Sequence, residues 1–375
     1  MHSTDQLLLH LSLINGVGAS TIHNLFNRCN EQSIAFHQLY DFTIRDFCNL
    51  GVSLPRAELI VHGLMCTVAV DKELKLCAEN DIGIITLQDE SYPAYLKAIH
   101  TPPPVLYFQG APLCSDELCM AVIGSRRCSY YGANVIQKFV PALVESGWTI
   151  VSGGAIGADS IAHERTLDAG GRTIAVLGAG LLKPYPHSNK KLFNRILRSA
   201  GTLISSFPLT MEAMPGNFPV RNRIISGLSR GCLVAQAAEK SGTHITAQFA
   251  LEQGRELFAV PGQIDDPLST GCHNLIQQGA KLVYSPQDIF EEFDLASGRI
   301  MQSAENVNAE HVADVPADRL DDVNAIIIHN CAKPVSLDEL IEATGMPAQE
   351  LYTKIFMLEV EARIRRHANG TYERC

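Results

Sequence analysis

The chain has 375 residues, of which 46% are hydrophobic and 19% charged, and its formal net charge is −10 at pH 7. This balance predicts a globular protein of two or three domains. No apolar run approaches the length of a membrane span, and no basic segment leads into an apolar one at the N-terminus. We therefore expect neither a membrane anchor nor secretion, and predict a cytoplasmic protein.

The eleven cysteines form no Cys-x-x-Cys pair, and Cys272-His273 has no second ligand pair at zinc spacing. Scattered reduced thiols are the expected outcome in a reducing compartment. We predict no metal site and no cofactor.

The charge is distributed unevenly along the chain. Residues 121–260 hold 15 Lys and Arg against 8 Asp and Glu, residues 1–120 hold 6 against 13, and residues 261–375 hold 9 against 19. A basic centre between acidic flanks suits a protein that binds a polyanion at one place only. The centre is therefore the predicted binding region.

Residues 1–66 are predicted to form a domain of short helices. The run 15–18, with glycines at positions 16 and 18, resembles the turn of a helix-hairpin-helix or SAM-like module. In some such modules this turn grips a DNA backbone. Because the only arginines here are Arg28, Arg45 and Arg56, packing or partner binding is an equally open alternative.

Residues 67–294 alternate between short apolar runs and amphipathic stretches, which predicts a doubly wound, mostly parallel sheet in an extended Rossmann-like α/β domain. The predicted strands are 82–87, 120–123, 149–151, 173–177, 202–206, 232–235, 256–260 and 281–284.

Two glycine-rich turns follow strands in this domain. Gly124-Ser125-Arg126 ends the strand at 120–123, and the run 152–159 repeats the design after the next strand. At the carboxyl ends of parallel strands such turns line the ligand crevice, and glycine lets backbone amides approach phosphate closely. The two turns therefore predict a phosphate-binding crevice.

The run 218–229 places Arg221, Asn222 and Arg223 at the start of an apolar helix. Helix N-termini attract anions through free N–H groups and the positive end of the dipole, and arginine adds charge. Aromatic rings on which bases can stack would complete a sequence-tolerant groove for a single strand. The candidate rings are Tyr130, Tyr131, Tyr185 and Phe218.

The segment 183–191 carries several cations at the start of a helix. Two readings stay open for it, a solvated loop and a grip on the nucleic-acid backbone.

Residues 295–318 are polar and unpatterned, which predicts a linker, and residues 319–375 have the outline of a winged helix. Its third predicted helix is acidic, so we expect a protein-docking or regulatory module, with DNA contact through the wing as the alternative. The predicted helices are 320–329, 337–344 and 348–359, the hairpin spans 362–372, and the wing arginines are Arg363, Arg365 and Arg366.

Five blocks in this order closely resemble the DNA-processing protein A (DprA, also called Smf) family. The resemblance implies a bacterial cytosolic protein that binds and protects incoming single-stranded DNA in natural transformation, works as a homodimer and helps to load the RecA recombinase. The blocks are Gly124–Arg126 with Ser129, Tyr131 and Gly132; Ser152–Asp159; Phe218–Gly227; Ser241–Thr243 with Thr246; and Gly254-Arg255 with Phe258–Gly262.

These motifs assign a large set of DNA and phosphate contacts and no catalytic residue. The expected contacts are Gly124, Ser125, Arg126, Ser129, Tyr131, Gly132, Ser152, Gly153, Gly154, Gly157, Asp159, Lys183, Asn189, Lys190, Phe218, Arg221, Asn222, Arg223, Ser241, Gly242, Thr243, Thr246 and Arg255.

The alternative is a Rossmann-like nucleotide-hydrolysing enzyme of the phosphoribohydrolase type. Such enzymes have a glutamate just behind the second glycine turn, whereas here no carboxylate follows Ser241 until Glu252. Asp159 and His163 share a helix face and are expected to cap the helix. Without an acid or base in place, we predict a protein that is not an enzyme.

Overall fold

The computed structural model describes residues 3–114 and 117–297 and, between 326 and 374, the run 337–344 with shorter pieces. The chain divides into two compact units, Met1–Phe293 and Asp294–Cys375. No helix in the described ranges is long and apolar enough to cross a lipid bilayer.

The first unit begins with a helical layer. Its helices pack around buried leucines such as Leu7 and Leu9, and they share this core with one end of the sheet. Asp5 accepts a hydrogen bond from the Thr86 hydroxyl at 2.7 Å, which ties the first helix to the first strand. The elements are α1 (Ser3–Leu13), α2 (Ala19–Glu31), a 3-10 helix (Phe36–Asp41), α3 (Ile44–Asn49), α4 (Leu54–Leu64) and α5 (Val68–Glu79).

A nine-stranded sheet forms the centre of the unit, in the order β1-β2-β6-β5-β4-β3-β7-β8-β9. Strands β3 to β9 run parallel to one another, while β2 is antiparallel to both β1 and β6. The strands are β1 (Ile82–Thr86), β2 (Val105–Gly110), β3 (Cys119–Gly124), β4 (Thr149–Ser152), β5 (Thr173–Val176), β6 (Thr202–Ser205), β7 (Gly231–Gln236), β8 (Glu256–Ala259) and β9 (Lys281–Leu282).

Helices cover both faces of the sheet, as β3 illustrates. Met120 and Val122 pack on one side with Phe139, while Ala121 and Ile123 face the other side. Such two-sided burial explains why the strands read as continuous apolar runs. The helices are α6 (Ala94–Lys97), α7 (Tyr130–Glu145), α8 (Ala158–Asp168), α9 (Lys190–Arg198), α10 (Asn217–Leu228), α11 (Thr243–Glu252), α12 (Thr270–Gln277) and α13 (Pro286–Ser297).

The predicted fold class is confirmed, with one strand added. Sequence patterns did not indicate β2, which follows three consecutive prolines at 102–104 and makes an antiparallel contact on each side. The mostly parallel sheet with helices on both faces is the predicted doubly wound arrangement.

The second unit contains helix α14 (Leu337–Thr344) and an antiparallel hairpin of β10 (Ile364–Arg366) and β11 (Tyr372–Arg374). Leu340 and Ile364 are buried in its core. The helix at 337–344 and the hairpin are confirmed. Helix α13 continues to Ser297, into the start of the predicted linker, and residues 298–325 lie outside the described ones, as do parts of the other two predicted helices.

Candidate nucleic-acid interface

A cavity of about 520 Å³ opens at the carboxyl edge of β3, β4 and β7. We call it the edge pocket; it is formed by the turns after these strands and by the start of α10. The structure brings eleven of the predicted contact residues together in its lining: Gly124, Ser125, Arg126, Asp159, Phe218, Arg221, Asn222, Ser241, Gly242, Thr243 and Thr246.

The turn after β3 presents an exposed cation. A Cβ on Gly124 would lie 2.8 Å from the Ala158 Cβ and 3.0 Å from the Gln236 carbonyl oxygen, so only glycine fits there. Arg126 is exposed, and its guanidinium carbon lies 5.4 Å from the centre of the Phe218 ring. Within the described ranges Arg126 makes no ion pair, which leaves its N–H donors available for an anion.

The side chain of Arg221 holds the turn after β4 in place. This side chain is 4% exposed, and its Nη1 donates hydrogen bonds to the carbonyl oxygens of Gly153 and Val176. Its Nε donates to the Asn222 Oδ1 at 3.1 Å. These bonds engage the Nε and Nη1 donors of Arg221, so the side chain holds the turn in place. It also lines the pocket, and its predicted contact with phosphate stays a prediction.

Asp159 shares this enclosed space. Its carboxylate accepts a hydrogen bond from the Ala155 N–H at 3.2 Å, and a Cβ on Gly153 would lie 2.7 Å from both Asp159 and Arg221. Burial raises the pKa of Asp159, an effect that the Arg221 charge opposes. Burial lowers the pKa of Arg221 to about 10, so it remains charged at neutral pH. The two charges offset each other beneath the pocket.

Two helix N-termini open towards the pocket. Helix α11 begins at Thr243 after Gly242, and α8 begins at Ala158 after Gly157, neither with a side-chain cap. The Ala158 N–H donates to the Ser125 carbonyl at 3.1 Å and the Thr243 N–H donates to the Ser241 hydroxyl at 3.2 Å, so these helix starts attract an anion mainly through the positive ends of their dipoles. Lys240 is exposed in the pocket lining just before α11. Sequence reasoning missed Lys240, although a cation directly ahead of the run Ser241–Thr243 is a usable signal.

Several predicted contacts support the turns instead of lining the pocket. Ser129 caps α7 and exchanges hydrogen bonds with Gln236, and the Tyr131 hydroxyl donates to the Pro261 carbonyl. The Ser152 hydroxyl is buried and donates to the Val122 carbonyl at 2.7 Å. The other supporting residues are Gly132, packed on Gln236; Gly153 and Gly154 in the second turn; Gly157, packed on the carbonyls of Ser125 and Arg126; and Asn189, bonded to Gly154 and Ser160.

Three predicted cationic contacts lie apart from the pocket lining. Arg223 is half-buried two residues beyond Arg221, and burial lowers its pKa. Lys183 pairs with Glu212 at 3.0 Å, and Lys190 is exposed at the start of α9.

Arg255 lies at the opposite edge of the sheet because it directly precedes β8. It donates to the Tyr95 carbonyl at 2.7 Å and lies 4.8 Å from that ring centre.

His163 is fully buried and does not line the edge pocket. Its Nδ1 lies 2.7 Å from the Thr173 hydroxyl oxygen, and burial lowers its pKa to about 3. The imidazole is therefore neutral at physiological pH, which suits a packing role.

Comparisons with known proteins agree on one family. A family model described as DNA recombination-mediator protein A matches residues 83–294, and one for the DprA winged helix domain matches residues 316–370. The chain is 43% identical to DNA processing protein DprA of Bacillus subtilis over 57% of this chain and 72% of that protein. It is 39% identical to Protein Smf of Escherichia coli over 74% of this chain and 73% of that protein.

Two solved structures are similar. DNA processing protein A from Streptococcus pneumoniae shares 33% identity with a TM-score of 0.67, over 78% of this chain and 98% of that chain. DNA processing protein A from Helicobacter pylori, reported for its single-stranded DNA binding mode, shares 28% identity with a TM-score of 0.50, over 56% of this chain and 95% of that chain.

Proposed function

This chain belongs to the DNA recombination-mediator protein A family, and we propose that it binds single-stranded DNA in the edge pocket. The observation that supports this most is the convergence of exposed Arg126 and Lys240 with the N-termini of α8 and α11 around one cavity. Such a site holds phosphate through the two cationic side chains and the positive ends of the helix dipoles.

A single strand suits this pocket better than a duplex. Phe218 lies in the pocket lining beside the Arg126 guanidinium, so an unstacked base that enters the pocket meets an aromatic ring and a planar cation. In a duplex the bases are stacked on each other and cannot reach such a ring. Phosphate and stacking contacts carry little base information, so the proposed binding tolerates any sequence.

We propose a binding protein and not an enzyme. Among the described residues that line the pocket, only Asp159 carries a carboxylate. It accepts a hydrogen bond from the Ala155 N–H and lies next to the buried Arg221. Glu252 accepts a hydrogen bond from Gln248 at 3.1 Å on the exposed side of α11. Neither carboxylate is placed to act as an acid or base on a glycosidic bond.

Family membership also supports a cellular role that the pocket alone does not define. We propose that the protein protects incoming DNA in natural transformation, helps to load RecA recombinase, and acts in the cytoplasm as a homodimer. The edge strand β9 offers a surface for self-association, because Leu282 is 45% exposed and Tyr284 is 68% exposed. Analytical ultracentrifugation at micromolar protein tests the dimer, and a monomer alone with and without DNA contradicts it.

The binding proposal is tested by titrating the protein against single-stranded and duplex DNA of equal length at several salt concentrations. We expect tighter binding to the single strand and an affinity that falls steeply with salt. Equal affinity for the two forms, or an affinity indifferent to salt, would contradict the proposal. Release of adenine from AMP would favour the enzyme instead.

A further inference from the structure

An aromatic row leads out of the edge pocket. The Phe218 and Tyr185 ring centres lie 6.0 Å apart with planes inclined at 52°, and those of Tyr185 and His187 lie 6.1 Å apart at 78°. Tyr185 is 45% exposed and His187 is also exposed, whereas Phe218 is half-buried at the pocket end. The rings thus become more accessible with distance from the pocket.

The loop that carries the two outer rings is anchored to the site. The Asn189 Nδ2 donates to the Gly154 carbonyl and to the Ser160 hydroxyl, both at 2.9 Å. At its other end the Leu182 N–H donates to the Leu209 carbonyl at 3.0 Å. Tyr185 therefore lies between two fixed points, one of them the glycine turn of the pocket, and its ring needs little ordering when it binds a ligand.

Exposed cations continue along the same segment. Lys190 and Lys191 begin α9, both are exposed, and neither makes an ion pair within the described ranges. In contrast, Lys183 pairs with Glu212, and Arg195 pairs with Asp168 at 2.6 Å. Lys190, Lys191 and, at the far end of α9, Arg198 are thus exposed without an ion pair among the described residues, and the two lysines lie just beyond the outer rings, where the phosphates of a stacked strand need charge.

We infer that the edge pocket is one end of a longer track for a single strand. One nucleotide occupies the pocket at Arg126 and Phe218, and the following bases stack on Tyr185 and His187 while Lys190 and Lys191 attract the backbone. The ligand is single-stranded nucleic acid of at least about three nucleotides, one for each ring. The track fixes the direction in which the strand leaves the pocket, towards α9. This inference rests on the proposed single-strand binding.

The test compares thymidine monophosphate with oligothymidylates of up to about twelve nucleotides, a range that reaches known single-strand site sizes, by competition against a labelled strand. In the wild type we expect affinity to rise with length as the track fills. Tyr185→Ala should weaken the longest oligomer about tenfold, the loss expected for one stacked base, and leave the mononucleotide, which fills the pocket alone, unchanged. Tyr185→Phe keeps the ring and should behave as the wild type.

Tyr130→Ala tests the competing exit along α7, because the sequence also predicts Tyr130 as a stacking ring. Tyr130 is 84% exposed at the start of α7, outside the aromatic row. We expect no change at any length, and circular dichroism verifies the fold of each variant. If Tyr130→Ala lowers affinity for long oligomers while Tyr185→Ala does not, the strand leaves along α7 and the track is wrong. Equal losses for the mononucleotide and the long oligomers in Tyr185→Ala also overturn it. A wild type that binds no oligomer refutes the proposed function itself.

Discussion

The two edges of the parallel sheet both carry arginines, but they use them differently. At the amino edge Arg172 bonds to Glu117 and two backbone carbonyls, Arg255 bonds to the Tyr95 carbonyl, and Arg230 lies 5.9 Å from the Tyr95 ring centre. At the carboxyl edge Arg126 and Lys240 stay exposed beside a cavity. The number of arginines therefore does not identify a binding edge, whereas exposed cations beside a cavity do.

The same contrast holds within the carboxyl edge, between the buried Arg221 and the exposed Arg126. Arg221→Ala should lower the free energy of unfolding by about 2–4 kcal/mol, because it leaves the half-buried Asp159 without a counter-charge and two buried carbonyls without a donor. Arg126→Ala should change it by less than about 0.5 kcal/mol. Urea denaturation of both variants measures this. Similar losses of unfolding free energy in the two variants would contradict a structural role for Arg221 and a DNA-binding role for Arg126.

The Arg221→Ala defect should depend on pH. Burial already raises the pKa of Asp159, and loss of the opposing Arg221 charge raises it further. A carboxyl with a raised folded-state pKa gives stability that is present at low pH and lost as pH rises through that pKa. We therefore expect a smaller defect near about pH 5 than near about pH 8. A defect that grows on acidification would refute the electrostatic explanation, and Asp159→Asn should relieve it.

Gly157→Ala should disturb the carboxyl edge without changing its charge. Gly157 has φ 83°, and a Cβ there would lie 2.5 Å from the carbonyl oxygens of Ser125 and Arg126. We expect a loss of about 1–3 kcal/mol in stability and weaker DNA binding with an unchanged salt dependence. Gly147→Ala is the control, since Gly147 has φ 81° but no atom within 4 Å of a new Cβ. It should cost stability while DNA affinity stays unchanged, and a loss of affinity there would undermine the comparison.

Arg126→Ala should lower single-strand affinity about tenfold and reduce the slope of log affinity against log salt by about one. The loss should be similar for all base sequences, because phosphate contacts carry no sequence information. Arg230→Ala removes the same charge at the amino edge and should change neither quantity. Fluorescence anisotropy at four salt concentrations measures both quantities. An equal loss of DNA affinity in Arg126→Ala and Arg230→Ala would contradict binding at the carboxyl edge only.

The smallest effect is expected from deletion of residues 319–375. Residues 319–375 hold 9 Asp and Glu against 7 Lys and Arg, a balance of −2, so their removal changes the electrostatic attraction of DNA only slightly. Single-strand affinity should stay within about twofold or rise, measured in the same salt with the fold checked by circular dichroism. Loss of most of the affinity would make Arg363, Arg365 and Arg366 DNA ligands, although Arg365 already pairs with Glu373 at 2.9 Å.

The glycine turns could be predicted from the sequence because strand, turn and helix start are local patterns. The hydrogen bond of Arg221 to the turn could not be predicted, since its partner Gly153 lies 68 residues earlier in the chain. A helix start with several arginines does not say which one turns inward. The position of Arg255 could have been predicted, because a residue that precedes a parallel strand lies at the amino edge of the sheet. The family motif nevertheless placed Arg255 among the DNA contacts, most of which lie at the carboxyl edge.

The strand order has a consequence for synthesis of the chain. Cys119 of β3 pairs with Thr149 soon after both are made, whereas Met120 pairs on the other side with Gly231. At a synthesis rate of about 5–20 residues per second, the second edge of β3 stays unpaired for roughly 4–16 s, until β7 has been made. An open apolar edge is a template for pairing with other chains. Nascent fragments that stop before Gly231 should therefore depend on chaperones and accumulate in aggregates, while chains that have passed β7 should not.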